Sequence, residues 1–202
     1  MRGRFWNARR KWMGNLAPAS IWLPLTAAGV IVIMRPVRWA AVGLWLLASG
    51  QVLAWLALNF VGLYENRAMR AALEREFLIL KPGFRGWRLF AGYASEGYSS
   101  VLDPHEDLGY LLLTPDGIEF IGDSRRLVIR RNQVLRIFRK PNVHTFVGLG
   151  GWVCVEALEA GHPRVHRFEP RQRDSLLGNF LLLGGLKRRL TNWLKRDGPQ
   201  SR

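Results

Sequence analysis

The stretch Trp39-Ala-Ala-Val-Gly-Leu-Trp-Leu-Leu-Ala-Ser-Gly-Gln-Val-Leu-Ala-Trp-Leu-Ala-Leu-Asn-Phe-Val-Gly-Leu-Tyr64 contains no charged residue. An α-helix of this length would reach about 39 Å, which exceeds the hydrocarbon core of a bilayer, about 30 Å thick. Trp39 and Tyr64 stand at its ends, where aromatic residues are typical of a membrane–water interface. The stretch therefore predicts a transmembrane helix over residues 39–64.

A second uncharged stretch, Ala17 to Met34, comes shortly before the first. As a helix it would reach about 27 Å, close to the thickness of the hydrocarbon core. Its basic flank resembles the start of a signal peptide, but Arg35-Pro-Val-Arg38 stands where a small-residue cleavage site would be. We therefore expect a retained transmembrane hairpin over 17–64, with spans 17–34 and 39–64.

The distribution of Lys and Arg predicts the orientation of this hairpin. Five basic residues precede the first span within residues 1–16, two lie between the spans, and four follow closely at Arg67, Arg70, Arg75 and Lys81. Loops rich in Lys and Arg stay on the cytoplasmic side. The pattern predicts a multi-pass protein of the cell membrane with a basic tail over 1–16 and both termini in the cytoplasm.

Residues 65–83 are expected to form a helical stem. Met69, Leu73, Phe77 and Leu80 recur at steps of three and four residues, which is typical of one apolar helix face, and Lys81-Pro-Gly83 ends the pattern. Two interpretations stay open: a continuation of the second span that packs on the following domain, or a juxtamembrane helix that lies on the bilayer or pairs with another subunit.

From Trp87 onward the apolar period changes to two, which predicts β-strands. Turn signals separate them, namely Pro115-Asp-Gly117, Gly122-Asp-Ser124 and Glu159-Ala-Gly161. Short strands at this spacing predict an antiparallel barrel or sandwich. The expected strands cover 87–94, 109–114, 117–121, 126–130, 133–139, 151–157 and 164–169.

A C-terminal amphipathic helix follows the strands. Pro170 and Asp174 favour its start, and leucines, Phe180 and Trp193 then recur on one face. Gly184-Gly185 in its middle suggests a kink. The predicted fold class is thus an α+β membrane protein: a two-helix transmembrane hairpin, a helical stem, and an antiparallel domain over 84–197 closed by a helix, with a short tail over 198–202.

The stretches Gly109-Tyr-Leu-Leu-Leu-Thr-Pro-Asp-Gly-Ile-Glu-Phe-Ile-Gly-Asp123 and Leu127-Val-Ile-Arg-Arg-Asn-Gln-Val-Leu-Arg-Ile137 resemble the GRAM-like and bacterial branches of the pleckstrin-homology (PH) superfamily. Seven strands followed by one helix are also the order of elements in a PH-like domain. Bacterial members commonly accompany two-helix membrane hairpins. The resemblance implies a non-enzymatic scaffold for lipid or protein contacts, and fold alone does not specify the ligand.

A run of seven bases without an acid follows an acidic stretch, residues 89–124. On two paired strands close to an anionic membrane, each base would contribute about 1 kcal/mol to binding. The alternative is an ordinary solvated sheet face, balanced by the acidic stretch. The residues predicted to bind a lipid headgroup or a partner are Arg125, Arg126, Arg130, Arg131, Arg136, Arg139 and Lys140.

The other cluster considered as a functional site is Asp103-Pro-His-Glu-Asp107, because carboxylates and an imidazole can bind a divalent ion. A polar loop has the same composition without a metal, and no catalytic or nucleotide-binding motif accompanies it. His162 and His166 fall on one strand face, with His144 elsewhere. We expect no cofactor, no metal and no enzymatic activity; a small membrane enzyme or metal-binding protein that uses loop 103–107 is the alternative.

The charge of +15 also suits nucleic acid, but no stacking or helix-turn-helix motif is present and membrane anchoring disfavours this partner. The expected function is therefore a membrane-bound binding or scaffold module for anionic lipid or a protein partner. A further alternative is an accessory subunit of a membrane complex or a homo-oligomer. In that case Gly29, Gly43, Ala48 and Gly50 would permit close helix contact.

Overall fold

The computed structural model of the protein describes residues 5–100 and 103–195, which form two compact units. The hairpin unit is Ala8–Tyr64, and the sheet unit comprises 5–7 together with 65–195. The predicted tail 198–202 lies outside the described residues, as do residues 1–4 of the predicted basic tail and the last residues of the predicted domain 84–197.

Two antiparallel helices, α1 (Ala8–Ile33) and α2 (Ala40–Val61), make up the hairpin unit. By length and composition, α1 and the largely helical stretch Val37–Leu80 are apolar enough to cross a membrane. Helix α1 begins nine residues before the predicted span and contains Pro18 and Pro24. Residues 8–16, predicted as part of the basic tail, belong to this helix. Arg, Lys, Trp and Met in this segment are compatible with a helix.

Glycines allow α1 and α2 to approach closely. A Cβ atom added to Gly43 would lie 2.8 Å from the carbonyl oxygen of Gly29 and 2.9 Å from the backbone nitrogen of Ile33. At the open end of the hairpin, a Cβ on Gly14 would lie 2.7 Å from the carbonyl oxygen of Gly62. Gly29, Gly43 and Gly50, considered above as contacts for a partner, thus pack within the hairpin itself, whereas Ala48 is exposed.

Gly43→Leu is expected to lower the thermal unfolding temperature of the full chain in a neutral detergent, because a side chain there meets the backbone of α1. Ala48→Leu is the matched control, since Ala48 is exposed on the same helix. Circular dichroism at helical wavelengths measures both. Equal unfolding temperatures for the two variants would contradict the close glycine contact.

The predicted stem is helix α3 (Asn66–Leu80), separated from α2 by a turn in which Glu65 has a left-handed backbone (φ 55°). Its apolar face packs on the sheet, with Met69, Leu73 and Phe77 buried against Phe90 and Tyr110. Packing on the following domain, one part of the first interpretation, is therefore observed, but the turn at Glu65 interrupts the expected continuation of the second span. Exposed Leu78, Ile79 and Leu80 end the helix.

All seven predicted strands are present, with bounds within two residues of the prediction. The hairpin between the last two strands turns at Ala160 (φ 49°) and Gly161 (φ 83°), the left-handed pair that a tight two-residue turn requires. The strands are β1 (Trp87–Ala94), β2 (Asp107–Leu113), β3 (Gly117–Gly122), β4 (Arg126–Arg130), β5 (Val134–Lys140), β6 (Trp152–Glu159) and β7 (His162–Pro170).

The strands form one antiparallel sheet in the order β4-β3-β2-β1-β7-β6-β5, so that β4 and β5 are its edges. The expected closed barrel or two-sheet sandwich is therefore not what the described residues form. Helix α4 (Leu176–Lys195), and not a second sheet, covers one face of this sheet, because Leu183 and Leu190 share one core with Ile129 on β4 and Val153 on β6. The edge strands β4 and β5 do not pair with each other.

The central strands are buried on both faces. On β2, Leu111 belongs to the core beneath α4, whereas Leu108 and Leu112 belong to the core beneath α3. Because successive side chains of a strand point to opposite faces, the sheet lies between the two helices. Helix α4 is continuous through Gly184 and Gly185, so the expected kink does not break it.

Candidate functional site

Four charged side chains meet in the interior of the sheet unit: Asp103, His105, Glu169 and Arg171. The imidazole of His105 lies between two carboxylates, with Nδ1 2.6 Å from Asp103 Oδ1 and Nε2 2.8 Å from Glu169 Oε2. Arg171 Nη2 donates to Asp103 Oδ2 at 3.0 Å. All four are buried, and we call them the buried ion network.

The charges within the buried ion network balance. Burial opposes protonation of His105, but the neighbouring Asp103 charge and the hydrogen bonds to Asp103 and Glu169 raise its pKa. Burial raises the pKa of the two carboxyl groups, but His105 and Arg171 lower the pKa of Asp103 below its ordinary value, and His105 lowers that of Glu169. Two anions and two cations therefore share the interior, as buried charges require.

Glu169 also organises the loop between β5 and β6, residues 142–150, here called the Phe146 loop. Asn142 Nδ2 donates to Glu169 Oε2 at 2.9 Å, and the backbone N–H of Gly151, directly after the loop, donates to Glu169 Oε1 at 3.1 Å. Within the loop, Asn142 Oδ1 accepts from the backbone N–H of Thr145, whose hydroxyl donates to the carbonyl oxygen of Gly150. Both ends of the loop are thus held by one buried carboxylate.

This ordered loop presents apolar side chains on its outer side. Phe146 is 92% exposed and Val143 is 48% exposed, while His144 and Leu149 are buried beneath them. The strand that leads into the loop ends with Arg139 and Lys140, both exposed. An exposed aromatic ring thus lies on a hydrogen-bonded turn that follows two bases in the chain.

The segment before α1 packs on the same network. Trp6 Nε1 donates to the carbonyl oxygen of His105 at 3.1 Å, and the guanidinium of Arg171 lies 5.1 Å from the Trp6 ring centre. The backbone N–H of Trp6 donates to Asp123 at 2.9 Å. Residues 5–7, which the sequence places in a tail, are therefore part of the sheet unit.

No protein-family model matches this chain, and no curated protein matches it either. The geometry of the described residues is therefore the basis for any functional proposal.

The predicted basic site is divided by the fold. Strand β4 pairs with β3, and β5 pairs with β6, so the two strands do not pair with each other as the sequence suggested. Arg125, Arg126, Arg130 and Arg131 lie at or next to the β4 edge. Arg136, Arg139 and Lys140 lie on the β5 edge, beside the Phe146 loop. Bases that are neighbours along the chain thus belong to opposite edges.

Several of these bases have internal partners. Arg125 pairs with Glu106, and Arg136 pairs with Glu156. Arg131 donates to the backbone carbonyls of Trp193 and Leu194, where a cation is favourable at the end of a helix. Arg126, Arg130, Arg139 and Lys140 are the exposed remainder, and the guanidinium of Arg139 lies 5.9 Å from the ring centre of Phe180.

Each polar side chain of the acidic loop 103–107 contacts other residues of the sheet unit. Asp103 and His105 belong to the buried ion network, and Glu106 accepts from Ser95 and pairs with Arg125. Asp107 accepts backbone N–H bonds from Leu108, Ser124 and Arg125, and burial raises its pKa.

The histidines complete the set of side chains considered for metal binding. His166 lies 3.2 Å from the Tyr93 hydroxyl and 2.9 Å from Glu159, and His144 is buried. Across residues 5–100 and 103–195, no three His, Cys, Asp or Glu side chains are arranged as a metal site.

Sequence reasoning missed Glu169, Arg171 and Phe146. Glu169 and Arg171 are more than sixty residues from Asp103, and nothing local marks them as its partners. The sequence did contain one indication, because the charged residues Glu169 and Arg171 flank Pro170 at the end of an otherwise regular predicted strand. The exposure of Phe146 depends on the Asn142–Thr145 turn and has no signature in the apolar pattern.

We predict that His105→Gln destabilises the sheet unit by about 3 to 5 kcal/mol, because it leaves Asp103 and Glu169 buried with only one cation. Arg136→Gln, at the exposed pair with Glu156, is the control and should cost less than about 1 kcal/mol. Urea unfolding of the full chain in neutral detergent, followed by tryptophan fluorescence, measures both. Similar losses for the two variants would refute a balanced buried network.

The buried ion network also predicts that the free energy of unfolding of the sheet unit depends on pH. The pKa of His105 is raised above its ordinary 6.5. The contribution of His105 to the free energy of unfolding is therefore complete below pH 6.5 and is lost as pH rises through the raised pKa. The pKa of Glu169 is lowered from 4.5, so its contribution is complete above pH 4.5 and is lost as pH falls through the lowered value.

The difference in unfolding free energy between the wild type and His105→Gln should therefore be largest between pH 4.5 and 6.5 and narrow at alkaline pH. Urea titrations of both proteins from pH 4.5 to alkaline pH test the direction of this dependence. A difference that grows with rising pH would contradict it.

Proposed function

We propose that the chain is a multi-pass integral membrane protein in which α1 and α2 form the anchor and the sheet unit binds anionic lipid headgroups without catalysis. The Phe146 loop and the adjoining bases Arg139 and Lys140 are the contact surface. The observation that carries the proposal is a 92% exposed phenylalanine on a loop that a buried carboxylate holds in place.

Apolar residues together with bases are the combination that binds the surface of an anionic bilayer. The ring enters the boundary between headgroups and acyl chains, and the bases interact with lipid phosphates. Because the loop is ordered by Asn142 and Glu169, little conformational entropy is lost when it binds. Arg139 and Lys140 end β5 directly before this loop.

The proposed location is the cell membrane, with both termini in the cytoplasm. The Lys and Arg counts around the two spans support this orientation. It places the sheet unit on the side where anionic lipids give the membrane surface a negative potential.

We further propose that the sheet unit is a PH-like, GRAM-like domain. Support comes from seven antiparallel strands followed by one helix, the order of elements that the resemblance implied. A non-enzymatic role is supported by loop 103–107, whose polar side chains all have structural partners within the described chain.

The test uses the full chain in phosphatidylcholine nanodiscs, mixed with sedimentable vesicles of phosphatidylcholine with or without phosphatidylglycerol. We expect cosedimentation with the anionic vesicles and a decrease at higher salt. Arg139→Gln with Lys140→Gln should weaken binding roughly 30-fold, because each base contributes about 1 kcal/mol. Phe146→Ser should weaken it by on the order of tenfold or more.

Arg126→Gln with Arg130→Gln is the matched control, since it removes the same charge from the opposite edge of the sheet. Equal losses from the two double variants would mean that binding follows net charge and not the Phe146 loop. Equal binding to neutral and anionic vesicles would exclude the lipid proposal and leave a protein partner for this surface.

A further inference from the structure

A cavity of about 440 Å³ lies between α4 and the strands β1 and β2, within the sheet unit. This volume is in the range of small-molecule sites, about 300 to 1,000 Å³. Its apolar lining includes Trp87, Leu89, Leu113, Leu186 and Trp193. It is separate from the Phe146 loop and from the buried ion network, none of whose residues line it.

The polar side chains that line this cavity are cationic or neutral. Arg188, Arg189 and Asn192 belong to the lining, and none of its described residues is acidic. The guanidinium of Arg189 lies 5.2 Å from the ring centre of Trp87, so a cation is held beside the apolar wall. The chemistry of the lining therefore complements a molecule with an apolar body and a negative group.

The wall formed by Trp193 is fixed before any ligand binds. Its Nε1 donates to the carbonyl oxygen of Thr114 at 2.8 Å, and the guanidinium of Arg131 lies 5.1 Å from its ring centre. A rigid aromatic wall keeps the cavity from collapsing, so a ligand does not have to open it.

Gly185 keeps the cavity open from the side of the helix. It lies in the middle of α4, where glycine is among the poorest helix formers. A Cβ atom at Gly185 would meet no other atom within 4 Å, and Gly185 lines the cavity. The neighbouring Gly184 is equally unobstructed but is not part of the lining. A larger residue at 185 would therefore fit the backbone while filling the space.

We propose that this cavity binds a single-chain anionic amphiphile, an alkyl carboxylate or an alkyl phosphate. The alkyl chain lies against Leu89, Leu113 and Leu186, and the anionic group is bound by Arg188 and Arg189 at the rim. The proposal does not depend on lipid binding by the Phe146 loop, because the two surfaces share no residue.

Isothermal titration of the full chain in phosphatidylcholine nanodiscs tests the ligand class, with empty nanodiscs as the blank. Octyl phosphate and octanoate are expected to bind saturably. Inorganic phosphate and octyltrimethylammonium should bind at least tenfold more weakly, because one lacks the chain and the other has the wrong charge. Equal binding of octyltrimethylammonium, or of inorganic phosphate, would overturn the proposal.

The two glycines provide matched variants of the cavity. Gly185→Leu should weaken octyl phosphate binding at least tenfold, whereas Gly184→Leu should leave it unchanged. Leucine favours a helix more than glycine does, so neither variant is expected to lose helical circular dichroism. Equal affinities for the two variants would place the ligand elsewhere and reject the site.

A second pair of variants tests whether the two arginines at the rim of the cavity bind the anionic group. Arg188→Gln and Arg189→Gln should each weaken octyl phosphate more than the neutral octanol, since only the former presents a negative group. Loss of both ligands in parallel would contradict an anion-binding role for these arginines.

The source of the ligand is distinguished by mass spectrometry of lipid extracts from the full chain purified out of its host membrane. A single-chain anionic lipid that accompanies the wild type and Gly184→Leu, but not Gly185→Leu, indicates a membrane source. Octyl phosphate binding without any such lipid indicates a soluble source. Failure of Phe146→Ser to alter vesicle binding would leave these results unaffected, so the two proposals fail independently.

Discussion

The charged interior around His105 is the constraint on which the rest of the sheet unit depends. An imidazolium between two buried carboxylates, with Arg171 as the second cation, is tolerated only while every member is present. From this cluster, Glu169 holds both ends of the Phe146 loop, and the His105 carbonyl and Arg171 side chain hold Trp6. A loop, a strand end and the chain segment before α1 are thus fixed by one set of charges.

The same constraint explains why the proposed contact surface is rigid. An exposed phenylalanine on a mobile loop would turn toward the protein to bury its ring, but the Asn142–Thr145 turn prevents this. The cavity under α4 is preformed for a comparable reason, since Thr114 and Arg131 hold Trp193 in place. In both places a polar contact keeps apolar surface open to solvent, where hydrophobic burial would otherwise close it.

The basic run shows how neighbours in sequence separate in space. The alternation of Leu127, Ile129, Leu135 and Ile137 predicted two half-buried strands. Both strands are present, although Leu135 is exposed. Periodicity, however, does not say which strands pair. Pairing depends on the whole sheet, whose order places β4 and β5 at opposite edges. Four of the seven predicted site residues consequently lie on the edge away from the Phe146 loop.

The sequence by itself determined the elements: two apolar helices, a stem ended by Lys81-Pro-Gly83, seven strands and a C-terminal helix. These follow from local periodicity, charge and turn residues, which act within a few positions along the chain. Only the tertiary structure decided that Asp103 and His105 meet Glu169 and Arg171, that α1 begins at Ala8, and that Gly185 opens a cavity. The contacts of Asp103 and His105 with Glu169 and Arg171 join residues far apart in sequence, and their burial, which no local pattern encodes, strengthens them.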